Sequence, residues 1–190
     1  MSIVIVDSGG ANLTSIKNAF EKISSQAVVS IDKNIISNAD YVILPGVGSA
    51  QMVMQSLISN NLVNVIKSLT QPVLGICVGM QILFNSSEEQ NCKCLGLIND
   101  DIKKFNLPND KAVPHMGWNK VIFESEQLLS NYYYFANSYY APITKDTTGI
   151  CEYGIEFSAT VQKDNFFGCQ FHPEKSSNSG IKFIQNFLNY

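Results

Sequence analysis

Three short motifs carry residue types that can do chemistry. The sharpest is P-V-L-G-I-C-V-G-M-Q, in which an apolar run enters Gly75-Ile76-Cys77-Val78-Gly79 and a helical pattern follows at once. G-x-C-x-G is the cysteine counterpart of the nucleophile elbow, a sharp strand-to-helix turn that presents one reactive atom. Glycines flank the nucleophile because side chains there would crowd the turn. A helix start lowers the cost of a thiolate, and the amide of Val78 can donate to an oxyanion. The plainer alternative is a small buried cysteine ahead of a helix.

A thiolate nucleophile needs an imidazole to carry protons and a carboxylate to hold the imidazole tautomer. The chain has two histidines, His115 and His172. His172 stands in F-G-C-Q-F-H-P-E-K-S, where a strand ends, proline turns the chain and Glu174 follows two residues later. H-P-E therefore supplies base and orienter together. His115, in P-H-M-G-W-N, is the rival base; it has no carboxylate close in sequence and reads as a structural or interface residue. The third motif is Y-V-I-L-P-G-V-G-S. A glycine-rich turn after a parallel strand sets backbone amides at the carboxyl edge of a sheet, where the amide of Val47 or Gly48 can serve as a second oxyanion donor. A phosphate loop is the competing reading, but the motif lacks the spacing and lysine of such loops.

The elements that must position these residues read as an α/β fold. Apolar strands are expected from Ser2 to Asp7, Ala27 to Ile31, Tyr41 to Leu44 and over V-L-G-I ahead of Cys77. Helical spacing covers Leu13 to Ile23, Ala50 to Leu69 with a break near Asn60–Asn61, and V-G-M-Q-I-L-F. Strand–helix alternation implies a mostly parallel central sheet flanked by helices. From Cys94 to Gln170, short segments rich in Val, Ile, Phe and Tyr between Asn, Asp, Gly and Pro predict added antiparallel strands. A closing helix, Gly180 to Leu188, places Ile181, Ile184, Phe187 and Leu188 on one face. One domain over residues 1–190 is expected.

Composition narrows the function classes. The net charge is −3, and all 13 basic residues are lysine, so there is no basic footprint for nucleic acid. Without arginine, the chain lacks the best bidentate clamp for phosphate, so a phosphorylated substrate is expected to be held by another subunit. The opening M-S-I-V-I-V-D does not read as a signal peptide and no apolar run is long enough to span a membrane, which predicts a cytoplasmic chain. Five cysteines without an export signal favour free thiols. Cys92 and Cys94 form a lone C-x-C without further ligands, which argues against zinc. No metal or organic cofactor is expected.

Taken together, G-I-C-V-G-M-Q and H-P-E make the chain resemble the class I (triad) glutamine amidotransferases. The likeness runs almost end to end, through I-V-D-S-G-G-A-N-L, L-P-G-V-G-S-A-Q, P-H-M-G-W-N and Y-Y-F-A-N-S-Y. Among them it is similar to the glutaminases of histidine biosynthesis. The resemblance implies that Cys77 attacks the glutamine carboxamide, His172 shuttles protons and Glu174 orients His172. It implies an oxyanion hole from the amides of Val47 and Val78, with the Pro45–Gly48 segment able to flip. Gly46, Gln81 and the stretch Asn137, Ser138 and Tyr139 would hold glutamine. Asn12, Trp118 and Tyr134 would face a cyclase partner, a (β/α)₈ barrel, in a heterodimer that keeps ammonia from water. The family usually has His-Ser-Tyr or His-Thr-Tyr where this chain has Asn137-Ser138-Tyr139, so any protonation role there is lost. The alternatives are a paralogue supplying ammonia to a nucleotide-sugar amidotransferase, a γ-glutamyl hydrolase or cysteine peptidase, and a non-enzymatic scaffold.

Overall fold

The computed structural model describes residues 1–9, 12–23, 26–107, 111–123 and 130–190. Positions 10 and 11 of the S-G-G-A-N turn lie outside them. The first half is a run of strands and helices: β1 (Ile3–Val6), α1 (Leu13–Glu21), β2 (Ala27–Ser30), α2 (Lys33–Ser37), β3 (Tyr41–Gly46), α3 (Ala50–Ser59), α4 (Val63–Lys67), β4 (Val73–Cys77) and α5 (Val78–Gln81). The second half is strand-rich: β5 (Ser86–Ser87), β6 (Cys92–Lys93), β7 (Asp101–Lys104), β8 (His115–Phe123), β9 (Asn131–Asn137), β10 (Tyr139–Tyr140), β11 (Thr147–Glu152), β12 (Glu156–Lys163) and β13 (Phe166–Cys169), closed by α6 (Ser177–Leu188).

Nine strands form one mixed sheet in the order β2-β1-β3-β4-β13-β12-β11-β8-β9. From β2 to β13 neighbours run parallel, and from β13 to β9 antiparallel. The sheet is thus a parallel half with the antiparallel strands added beside it. β1 and β4 are buried along their whole length and β3 from Val42 on, as strands covered on both faces must be. The β8–β9 hairpin instead alternates buried and exposed residues, with one face open. A second sheet has the order β10-β7-β5-β6; β5, β6 and β10, two residues each, leave no alternation to read in sequence.

The expected break between two helices falls where Asn61 takes φ 53°. The helix expected over V-G-M-Q-I-L-F is shorter: α5 is a single turn. The amides that would extend it bond elsewhere: those of Leu83 and Phe84 reach only three residues back, to the Met80 and Gln81 oxygens at 3.0 and 3.2 Å, and that of Asn85 donates to Asp100 O at 2.9 Å. α2 was not expected; Asp32 caps it, accepting from Asn34 and Ile35 amides. The closing helix starts three residues before Gly180. It buries Gly180, Phe183, Ile184, Phe187 and Leu188, so Phe183 takes the core position assigned to Ile181. No described helix is long and apolar enough to cross a membrane.

β4 lies between β3 and β13, with Gly46 opposite Cys77 on one side and Cys169 opposite Ile76 on the other. The chain can turn there only because glycines let backbone meet backbone. A Cβ at Gly79 would overlap the Leu44 carbonyl, and one at Gly46 would sit 2.7 Å from the Gly79 nitrogen. Gly79→Ala is therefore expected to cost at least about 3 kcal/mol, at the top of the usual overpacking range because backbone cannot yield. Urea unfolding checks it; a loss under about 1 kcal/mol would refute the close-contact account.

Candidate active site

Cys77 ends β4 at φ 54°, ψ −112°, in the left-handed half of backbone space that a residue with a Cβ occupies only when its surroundings force it. Pairing of β4 on both edges and the glycine contacts supply that force. Because α5 is one turn, little helix dipole reaches the sulfur, and stabilisation of a thiolate falls to individual donors. One of them is Gln170, whose Nε2 lies 3.7 Å from Sγ.

His172 follows three residues after β13 ends, so three adjacent parallel strands deliver the Gly48 loop, Cys77 and His172 to one sheet edge. His172 Nδ1 and Glu174 Oε1 are 2.8 Å apart, both side chains buried. That contact assigns Nδ1–H to the carboxylate and leaves Nε2 for proton transfer. Burial alone would strip the imidazolium of its proton, but hydrogen bonding and charge from Cys77 and Glu174 outweigh it and raise the ring's pKa well above the usual histidine range. The H-P-E-K-S segment is clamped to β9. His172 N–H donates to Tyr134 O at 2.8 Å, Tyr134 N–H donates to Ser176 Oγ at 2.9 Å, and that hydroxyl donates to His172 O at 2.6 Å. Gly180 lets α6 close over the turn, since a Cβ there would overlap the Pro173 carbonyl.

A cleft of about 240 Å³ opens at Cys77, walled by Gly48, Val78, Gln81, Glu89, Pro114, Ala136, Asn137, Ser138 and Tyr139. Of the expected oxyanion and substrate positions, Gly48, Val78, Gln81, Asn137, Ser138 and Tyr139 stand on this wall. Gly46 and Val47 do not; Gly46 is packed behind the elbow. A larger hollow of about 510 Å³ beneath α6 contains none of the triad, so size does not identify the site. Glu89, the single carboxylate on the wall among the described residues, has no signal in the sequence, where E-E-Q-N is an ordinary polar stretch. Its Oε2 accepts from the Ala50 amide at 2.9 Å. Asn137 Nδ2 donates to Tyr139 O at 2.8 Å, and its buried Oδ1 has no partner among the described residues.

Comparison with known proteins agrees with this geometry. Residues 4–189 match the family model for glutamine amidotransferase class-I. The chain belongs to the class I glutamine amidotransferases. The imidazole glycerol phosphate synthase subunit HisH of Shewanella sediminis is 46% identical over 98% of this chain and 90% of its own. Its Escherichia coli counterpart is 45% identical over 99% of both. Two solved structures share the fold: a glutamine amidotransferase (TM-score 0.78, 14% identity, 98% and 97% covered) and a glutamine amidotransferase from Thermotoga maritima (TM-score 0.65, 13% identity, 100% and 83% covered).

Within this amidotransferase fold, His115 is not placed as a base. It is buried between Tyr153 and Phe135, ring centroids 3.9 and 4.8 Å away, and among the described residues no carboxylate bonds either ring nitrogen. Burial, helped by the Lys111 charge, lowers its pKa to about 4. The ring is neutral when folded but takes a proton below about pH 6.5 when unfolded, so folding loses stability as pH falls from about 6.5 towards about 4. The expected loss from this residue is about 2 kcal/mol between about pH 7 and about pH 4.5. His115→Phe, which keeps the stack, should flatten that acid limb in urea unfolding; an unchanged limb would assign it to other groups.

Proposed function

We propose that the chain is the glutaminase subunit of an imidazole glycerol phosphate synthase, hydrolysing glutamine to glutamate and ammonia. The observation that carries this is Cys77 on the wall of a cleft sized for one amino acid, with the buried His172–Glu174 pair at the end of the neighbouring strand, in a chain about 45% identical to HisH subunits end to end.

The Cys77 thiolate attacks the carboxamide carbon and the C–S bond forms. The Val78 amide, with that of Val47 or Gly48, receives the negative oxygen. His172 Nε2–H protonates the amide nitrogen, the C–N bond breaks, and ammonia leaves a γ-glutamyl thioester. His172 then takes a proton from water as its oxygen attacks the thioester; glutamate departs and the thiolate returns. Glu174 holds Nδ1–H throughout and balances the imidazolium. Glu89 is suited to the substrate ammonium, and the unsatisfied Oδ1 of Asn137 to a substrate N–H. Gln81 and the backbone of Ser138 and Tyr139 complete the wall.

The ammonia acceptor is a cyclase subunit, proposed as a (β/α)₈ barrel forming a heterodimer, that makes imidazole glycerol phosphate and an aminoimidazole carboxamide ribonucleotide. Its docking face is the open side of β8–β9, where Met116, Trp118, Ile122 and Tyr132 are more than half exposed. Such a contiguous apolar patch beside a site marks an interface. Trp118 packs edge-on against Tyr134, centroids 6.3 Å apart, and Lys175 Nζ lies 5.8 Å from the Tyr134 ring centre. Asn12 caps α1 through an acceptor bond from the Ser15 amide, which leaves its Nδ2 for a partner.

Glutamate release from glutamine is expected to rise on adding a histidine-pathway cyclase with its ribonucleotide substrate, and to fall at least about 10³-fold in Cys77→Ala. Trp118→Ala should remove the stimulation and spare the slow rate of the lone chain. Activity indifferent to the cyclase would overturn the pathway and leave the nucleotide-sugar paralogue. Glu89→Gln should raise KM about tenfold or more with a smaller change in kcat, the loss of one charge-assisted contact. An unchanged KM would remove Glu89 from the substrate site.

A further inference from the structure

We propose that Gln170 is a positioning residue for the nucleophile, its side-chain N–H aimed at Cys77 Sγ by a buried chain of amides that begins on the cleft wall. Gln170 lies between β13 and His172, is fully buried, and its backbone amide donates to Ala159 O at 2.8 Å. Gln81 Nε2 donates to Tyr139 O at 3.2 Å and to Gln170 Oε1 at 2.9 Å. A backbone carbonyl can only accept, so it fixes which end of Gln81 is nitrogen. Gln81 then fixes Gln170, whose oxygen is occupied and whose Nε2 is left to donate to the sulfur at 3.7 Å. Asn137 Nδ2 donates to the same Tyr139 carbonyl and holds the far end.

The arrangement has a chemical consequence. A donor to sulfur favours thiolate over thiol, and with α5 a single turn this donor has no strong helix dipole to supplement it. Gln170 cannot titrate near neutrality, so it neither gives nor takes the proton that His172 moves. Because Gln81 stands on the cleft wall, the orientation of this donor depends on a residue that meets substrate. A buried glutamine that merely satisfied its own hydrogen bonds would stabilise the fold and leave the sulfur's reactivity unchanged.

The inference rests on Cys77 being a thiolate nucleophile, and its test does not require glutamine turnover. In the full chain, iodoacetamide alkylation of Cys77 would be followed from about pH 5 to about pH 9 by mass analysis of its peptide, with thermal unfolding as the control for folding. Gln170→Met keeps the volume and removes the donor; the alkylation profile is expected to move about one unit to higher pH, a roughly tenfold change in the thiolate equilibrium. Gln170→Glu should move it further, by adding a like charge. Gln81→Leu, which does not replace the donor but frees it to turn away, should move it in the same direction by less. A Gln170→Met profile that superimposes on the parent's overturns the proposal. If Gln170→Met does not fold, an unmoved Gln81→Leu profile overturns it instead. Shifted profiles in a chain that fails to hydrolyse glutamine with its cyclase would sink the proposed function and leave this inference standing.

Discussion

The site depends on one constraint, the backbone at Cys77 held in a conformation it would not choose. A residue with a Cβ at φ 54°, ψ −112° stores of order 1–3 kcal/mol, and three features keep it there. β4 is paired along both edges, glycines at 46, 75 and 79 let neighbouring backbones touch, and α5 begins without an intervening residue. The same pairing decides where the other groups arrive. β3 ends in the loop that carries Gly48, β4 ends in the nucleophile, and β13 leads within three residues to His172. Adjacent parallel strands finish at a common edge, so the proposed triad, split by nearly a hundred residues, needs no long loop to assemble.

The His172–Glu174 pair is a different kind of feature. Both side chains are buried, and one carboxylate oxygen has no partner among the described residues. Burying such a pair costs desolvation that its attraction scarcely offsets, so stability does not explain it. The proposed reaction does, because an imidazolium held by Glu174 would give an attacking sulfur its counter-charge without arginine or metal. The groups around it are uncharged amides, Gln81, Asn137 and Gln170, which orient without competing for the proton. The Glu89 carboxyl stands on the cleft wall, where the proposed reaction places the substrate ammonium.

Much of this is legible in the sequence because the decisive signals are local. G-I-C-V-G encodes the elbow through residues whose size matters at their own positions, and H-P-E carries base and orienter two residues apart. The strand–helix alternation of the first half follows from continuous apolar runs. Contributions that need distant partners are not legible. Glu89 reaches the site by bonding the first amide of α3, Ser176 matters because it ties H-P-E to β9, and Gln170 acts across to Cys77 and Gln81. The length of α5 escapes the sequence for the same reason: its pattern is helical, and the Asn85 amide that would continue it donates to the distant Asp100 carbonyl. Period-two spacing from His172 back to Gln170 is a hint that both face one way, but β13 ends at Cys169, so that face is set by the tertiary bonds.

Strand β9 joins the two halves of the proposed function. One face of its hairpin with β8 presents Trp118, Met116 and Tyr132 outward, while the Tyr134 backbone holds the H-P-E-K-S turn at both ends through His172 and Ser176. Its last residue, Asn137, stands on the cleft wall and anchors Tyr139, to which Gln81 is bonded. A partner seated on the open face therefore presses on the strand that positions both the proton carrier and the substrate wall. β9 is the last strand of the sheet, and on the side away from β8 it is bonded at Tyr134 to His172 and Ser176. Coupling between docking and chemistry then requires no rearrangement of the core. In the proposed complex a shift of β9 would be passed to His172 through the bonds at Tyr134.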